Sequence, residues 1–274
     1  MEAAKARLLV LRMLRAGGSG HLGGAFSCID IVTALYFHTM NVNPDDPGDP
    51  ARDRFLLSAG HKAMAQYAVL ARRGYFPEDL LDSYGSLGGR VAGHPDMHKL
   101  PGIEANTGAL GHGLAIACGM ALGMRLAGRN GRLFTVLGDG ELPEGSNWEG
   151  ASIAAHHRLQ NLVAFIDVND LQISGRTAEV MNMEPIADKF AAFGWSVHTI
   201  DGNDMGDIVD SLDQAPSGAN RPTAIIARTK KAKGIPHLEN VAASHYWKPT
   251  DEELILAEDA IFGRFASLVT ASDR

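Results

Sequence analysis

Short apolar runs alternate with longer segments of helical periodicity along nearly the whole chain. The runs are Phe55 to Ser58, Arg132 to Leu137 (RLFTVL), Asn161 to Val168 (NLVAFIDV), Trp195 to Ile200 and Pro222 to Arg228 (PTAIIAR). They are short, rich in β-branched and apolar residues, and read as strands, buried where the run is continuous. Apolar positions at helical spacing predict helices over Glu2 to Ala16, Ser27 to Met40, the segment from His61 that Gly74 ends, Leu114 to Leu126, Asn147 to Leu159, Pro185 to Phe193 and Asp251 to Leu268. Ser27 at N-cap and Asp30 at N3 read as a capping box for the second of these. Asn43 to Asp53 (NPDDPGDPARD) lacks periodicity and reads as a surface loop. Strands alternating with helices predict an α/β domain: a mostly parallel sheet, helices on both faces, and a ligand at the carboxyl ends of the strands.

Composition narrows this without changing it. With 274 residues, 45% hydrophobic and 21% charged, the chain suits a single large domain over 1–274. A net charge of −7 argues against a nucleic-acid surface, and the one basic run, Arg228 to Lys233, reads as a solvated loop. Cys28 and Cys118 sit inside apolar helical patterns and read as buried, inert thiols of a reducing compartment. No apolar stretch reaches the length of a membrane span or a signal segment, so the expected location is cytoplasmic, with no membrane partner.

Candidate chemistry gathers at Gly138-Asp139-Gly140, directly after RLFTVL. A glycine turn of this kind lets backbone N–H groups approach a phosphate. Arg132 to Val168 forms one βαβ unit, whose two strand ends lie side by side, so Asp139 and Asn169 can meet on one edge of the sheet. A carboxylate and an amide oxygen are hard ligands that suit Mg²⁺ or Ca²⁺, with phosphate oxygens and water completing the shell. Taken alone, Gly-Asp-Gly is equally an ordinary tight turn and Asn169 an ordinary strand cap.

Gly-Asp-Gly followed by Glu144, Asn169 and the closing Leu171-Gln172-Ile173-Ser174-Gly175 resembles the thiamine diphosphate motif of the transketolase family, in its split, two-gene form. Further matches follow in family order: Ser19-Gly20-His21, Ser58-Ala59-Gly60-His61, Gly93-His94-Pro95, Thr107-Gly108-Ala109-Leu110-Gly111-His112-Gly113, Asp201-Gly202-Asn203-Asp204, Thr229 to Gly234, and Ser244-His245. The resemblance implies a thiamine diphosphate-binding fold, with Mg²⁺ (or Ca²⁺ or Mn²⁺) held by Asp139, Asn169 and the carbonyl of Leu171. It implies cofactor contacts from His61, His94, Gly108, Leu110, Gly111, Gly138, Asp139, Gly140, Glu144 and Asn169. His21 and His245 are implied as the proton-handling pair, with His61 and His94 hydrogen-bonding substrate or cofactor; imidazoles suit this because they titrate near neutral pH. Leu22, Ala109, His112 and Tyr246 depart from the family pattern.

The implied activity is transfer of a two-carbon ketol unit from a ketose or ketose phosphate to an aldose. The pyrimidine-binding domain and its glutamate are expected from a second polypeptide, the C-terminal transketolase subunit, in an α₂β₂ assembly. Ketol transfer on an unusual sugar or secondary metabolite, or a non-catalytic accessory role retaining the cofactor, are alternatives. A dinucleotide-binding dehydrogenase is disfavoured, since no strand is followed by GxGxxG and a later acidic residue.

Overall fold

The computed structural model describes residues 1–215 and 220–272, with side chains to residue 263. All five apolar runs are strands of one sheet: β1 (Arg54–Leu57), β2 (Leu133–Gly138), β3 (Leu162–Val168), β4 (Ser196–Asp201) and β5 (Thr223–Arg228). Their order is β1-β2-β3-β5-β4 and every pairing is parallel. β2 and β3 are buried along their whole length, which is why their sequences are continuously apolar, while β4 at the edge is partly exposed.

Successive side chains point to opposite faces, and the pleat divides the core in two. Phe55, Phe134, Val136, Phe165 and Ile225 pack toward α1 (Glu2–Gly17), α2 (Leu22–Ala34) and α3 (Ala63–Arg73). Leu137, Ala164, Ile166 and Ile226 pack toward α4 (His112–Leu126), α5 (Gly145–His156), the short α6 (Thr177–Val180) lying beyond them, and α7 (Ile186–Ala192). α8 (Met205–Asp213) and α9 (Asp251–Ser272) join the first layer, α9 through Leu254, Ala257 and Ile261 at helical spacing. Side chains of the predicted last helix beyond residue 263 lie outside the described residues. Among the described residues no helix is long and apolar enough to cross a membrane.

One predicted boundary is wrong, and the error bears on the site. The helix assigned to Ser27–Met40 begins at Leu22 and ends at Ala34, followed by a wider π turn over Leu35–Thr39. Gly23-Gly24, which reads as loop, lies inside the helix because neighbours crowd it: a Cβ at position 23 would sit 2.7 Å from the Ser244 carbonyl oxygen. Tertiary packing overrides propensity here. Ser27 and Asp30 therefore cap nothing. Ser27 Oγ donates to Asp167, and Asp30 takes a two-point ion pair from Arg7 at 2.8 and 2.7 Å. All thirteen residues of α2 are buried.

Candidate cofactor-binding and active site

The carboxyl ends of β1, β2, β3 and β5 open onto a cleft of about 210 Å³, partly open to solvent. Parallel register sets this up: Gly138 lies beside Asp167 and Val168 beside Arg228, so the residues just past each strand arrive at one level. Asp139 begins a single 3₁₀ turn, and its two carboxylate oxygens accept from the backbone N–H of Gly140 (2.9 Å) and of Asp170 (2.8 Å). The end of β2 is thus tied to the end of β3. Asn169 Oδ1 accepts from the Leu171 N–H at 3.2 Å, and the Leu171 carbonyl from Lys231 Nζ at 3.4 Å. Asp139, Asn169 and Leu171 all line the cleft, and each oxygen keeps a lone pair beyond these bonds. Burial, reinforced by the charge of Asp167, lifts the Asp139 carboxyl to about 7; Lys62 opposes the rise.

Three further groups hold the site together, none of them assigned from sequence. Asp167, fully buried in β3, accepts from Ser27 Oγ of α2 (2.5 Å), from Lys62 Nζ at the start of α3 (2.5 Å) and from Thr229 Oγ1 beyond β5. Glu141, 1% exposed, accepts from Ser58 Oγ (2.5 Å) and the Gly111 N–H (2.9 Å) on one oxygen and from the Gly138 N–H (3.2 Å) on the other. Lys231, in the run read as a solvated loop, is only 2% exposed and lines the cleft with its ammonium 3.2 Å from His245 Nδ1. Burial, then the nearby Lys62 charge, lowers the Lys231 ammonium to about 8.

Lys62 and Asp167 form a buried ion pair, and such pairs are far more sensitive to losing one member than to losing both. Lys62→Met is expected to destabilise the chain by about 3–5 kcal/mol in urea unfolding, because Asp167 would be left buried without its ion-pair partner. Lys62→Met/Asp167→Asn should recover much of that loss; equal stability of wild type and the single variant would refute the pairing argument.

Four histidines cluster here; His21, His61 and His245 line the cleft, and His94 lies against His21. Ring centroids of His61, His94 and His245 lie 5.4, 5.9 and 5.3 Å from that of His21, and His61 and His245 are 5.4 Å apart. Each comes from a different segment: His21 from the N-cap of α2, His61 from a 3₁₀ turn after β1, His94 from the loop before α4, and His245 from a 3₁₀ turn after β5. His94 is held by close backbone approach. Gly108, at φ +144°, sits so near that a Cβ there would fall 2.7 Å from the imidazole. Burial lowers His21 and His245 to about 4 and His61 to about 2, helped by neighbouring positive charge, and burial lowers His94 as well. At neutral pH these rings are uncharged bases.

The remaining predicted positions divide. Gly108, Leu110, Gly138 and Gly140 line the cleft, but the N–H groups of Gly111 and Gly138 are committed to Glu141, and that of Gly140 to Asp139. Positive charge toward an anion therefore comes from Lys62 and Lys231, which line the cleft, rather than from those amides. Glu144 is exposed and does not line the cleft; His112 is exposed too, its ring folded back to the Leu110 carbonyl at 3.1 Å. Cys28 and Cys118 are free and buried, with thiols pushed up to about 12 by burial, inert as expected.

The residues present fit a diphosphate with its divalent cation. Among the described residues no three His, Cys, Asp or Glu are grouped to hold a metal; the oxygens of Asp139, Asn169 and Leu171 are hard donors of the kind a divalent cation takes together with phosphate and water. Gln172, which lines the cleft, keeps Oε1 buried without a partner.

Residues 1–263 match the family described as transketolase, thiamine diphosphate binding domain. The chain is 42% identical over 251 residues to the 6-deoxy-6-sulfo-D-fructose transketolase subunit SqwG of Clostridium sp. (strain MSTE9), covering 92% of this chain and 91% of that protein. It is 40% identical over 253 residues to an apulose-4-phosphate transketolase subunit of Phocaeicola vulgatus, covering 92% and 90%. Among solved structures, transketolase from Campylobacter jejuni superposes with a TM-score of 0.89 at 31% identity, over 95% of this chain and 42% of that one.

Proposed function

The chain belongs to the transketolase family, and we propose that it is the diphosphate-binding subunit of a two-chain enzyme that moves a two-carbon ketol unit from a ketose to an aldose. The observation that carries this reading is the meeting of Asp139, Asn169 and the Leu171 carbonyl at adjacent strand ends, with the imidazoles of His21, His61 and His245 lining the same cleft and His94 packed against His21. The first three would hold Mg²⁺, the hard cation such oxygens favour. Thiamine diphosphate, when bound, supplies an electron sink for breaking a carbon–carbon bond beside a carbonyl.

This chain's own residues do the rest. Lys62 and Lys231 give the cleft a cationic floor for the diphosphate. His21 and His245 accept at an imidazole nitrogen the proton of the donor hydroxyl whose carbon is cut away, and return it to the oxygen of the acceptor aldehyde. His61 and His94 hold substrate hydroxyls by hydrogen bonds. Support for a second polypeptide carrying the pyrimidine-binding half comes from the relatives named as subunits, of which this chain spans about nine-tenths, against 42% of the longer Campylobacter jejuni chain.

Reconstitution tests the reading. The purified chain with thiamine diphosphate and Mg²⁺ is expected to give no ketol transfer alone and to transfer once the partner subunit is added, with mass by light scattering reporting an α₂β₂ complex. A cofactor bridging two chains favours their association by mass action, so saturating cofactor should tighten the complex. Full turnover by this chain alone would sink the split-subunit reading. A second reading, ketol transfer on a specialised donor, is favoured by the names of the two subunit relatives, and a panel of ketoses in the same assay decides between them.

A further inference from the structure

Tyr246 follows His245 but does not enter the cleft. Its ring meets the ring of His21 edge-on, with centroids 4.9 Å apart at 78°, and its hydroxyl lies 2.9 Å from Ser19 Oγ. His21 lines the cleft and Tyr246 does not, while 56% of Tyr246 stays exposed, so the phenol covers the solvent side of His21. Its backbone is fixed on both sides. Gly20 N–H donates to the Trp247 carbonyl at 3.0 Å, and Trp247 N–H to the Gly20 carbonyl at 2.8 Å, with Trp247 itself 7% exposed. This two-bond stitch clamps the His21 loop to the His245 loop and carries Tyr246 between two anchored residues.

A large aromatic held this firmly yet left mostly uncovered contributes little to the core. It stands directly against His21, a ring that lines the cleft. We propose that Tyr246 is a specificity-determining residue of the ketol transfer, a wall beside His21 that restricts how long an aldose acceptor can be. The inference rests on the transketolase reading of the cleft. The phenol hydroxyl is engaged by Ser19, so selection is by size: a short acceptor ends before the ring, and a longer one must displace it. Discrimination of this kind against extra chain length is worth roughly 10–200-fold in kcat/KM.

The test uses the reconstituted pair with thiamine diphosphate, Mg²⁺ and whichever ketose of the donor panel the wild-type pair accepts. Acceptors are glycolaldehyde, glyceraldehyde, erythrose and ribose, with kcat and KM measured separately for wild type, Tyr246→Ala and Tyr246→Phe. Tyr246→Ala is expected to raise the ribose-to-glycolaldehyde ratio of kcat/KM at least about tenfold, mainly through KM for ribose. Tyr246→Phe keeps the ring and should keep the wild-type ratio, and calorimetry should give the same cofactor affinity for all three. An unchanged ratio in Tyr246→Ala overturns the proposal. So does a uniform fall in kcat over all four acceptors, which would mean that the phenol only holds the His21 ring, or a change confined to partner affinity in light scattering. If the wild-type pair binds cofactor yet transfers from no donor, the transketolase reading itself fails and this inference falls with it; transfer by wild type with an unaltered ratio in the variant removes Tyr246 alone.

Discussion

Asp139→Ala and Asn169→Ala are each expected to abolish Mg²⁺-dependent binding of thiamine diphosphate, measured by calorimetry on the complex. Asp139 is the one group among the three proposed ligands that can carry a negative charge, and its loss leaves the cation facing an amide and a carbonyl. The loss should exceed the roughly 10–100-fold that removing a merely supporting partner costs. Asp139 also accepts the Asp170 N–H and so shapes the loop that carries Asn169 and Leu171. Asn169→Ala separates the two effects, because the Asn169 side chain bonds within that loop, to the Leu171 N–H, and its removal leaves the link between β2 and β3 intact. Unchanged affinity in either variant would remove the metal assignment.

A second large effect concerns turnover rather than binding. His21→Ala and His245→Ala should retain most cofactor affinity in the assembled enzyme yet lower kcat by roughly 10²–10⁴-fold, the usual contribution of a positioned proton-transfer group. Both rings are lowered to about 4 by burial, so they are deprotonated at pH 7 and become protonated only as the pH falls toward that value. Their resonances in the isolated chain should titrate well below the ordinary value of about 6.5. The linked effect on stability has a definite sign. Between about 6.5 and 4 the unfolded chain binds protons at these positions that the folded chain refuses, so folding stability falls as the pH falls through that window. A kinetically silent His245→Ala would withdraw that residue from the proton-handling pair.

Much of this is legible in the chain because parallel strands buried on both faces leave an unmistakable apolar run, and because a ligand site at their carboxyl ends follows from topology. What escapes does so for identifiable reasons. Gly23-Gly24 reads as loop by propensity, and only the approach of Ser244 and Lys62 explains a helix there. Lys231 looks like one more charge in a basic run until β5 delivers it into the cleft. Asp167 does carry a signal: a carboxylate inside NLVAFIDV, a strand buried along its whole length, must find partners, and Lys62, Ser27 and Thr229 are those partners. Glycine spacing alone does not say which way an amide points, and Glu141 takes two of those expected to face a phosphate.

The stitch between Gly20 and Trp247 also says something about when the site comes into being. His21 precedes every strand and His245 follows the last of them, so the pair proposed to handle protons joins regions separated by nearly the whole fold. Contacts of such sequence separation form late, after the loops between them have closed. A growing chain would have the strand ends that carry Asp139 and Asn169 in place once β3 had paired with β2, and still lack His245. The histidine cluster is therefore completed by the segment after β5, which the two bonds tie to Gly20.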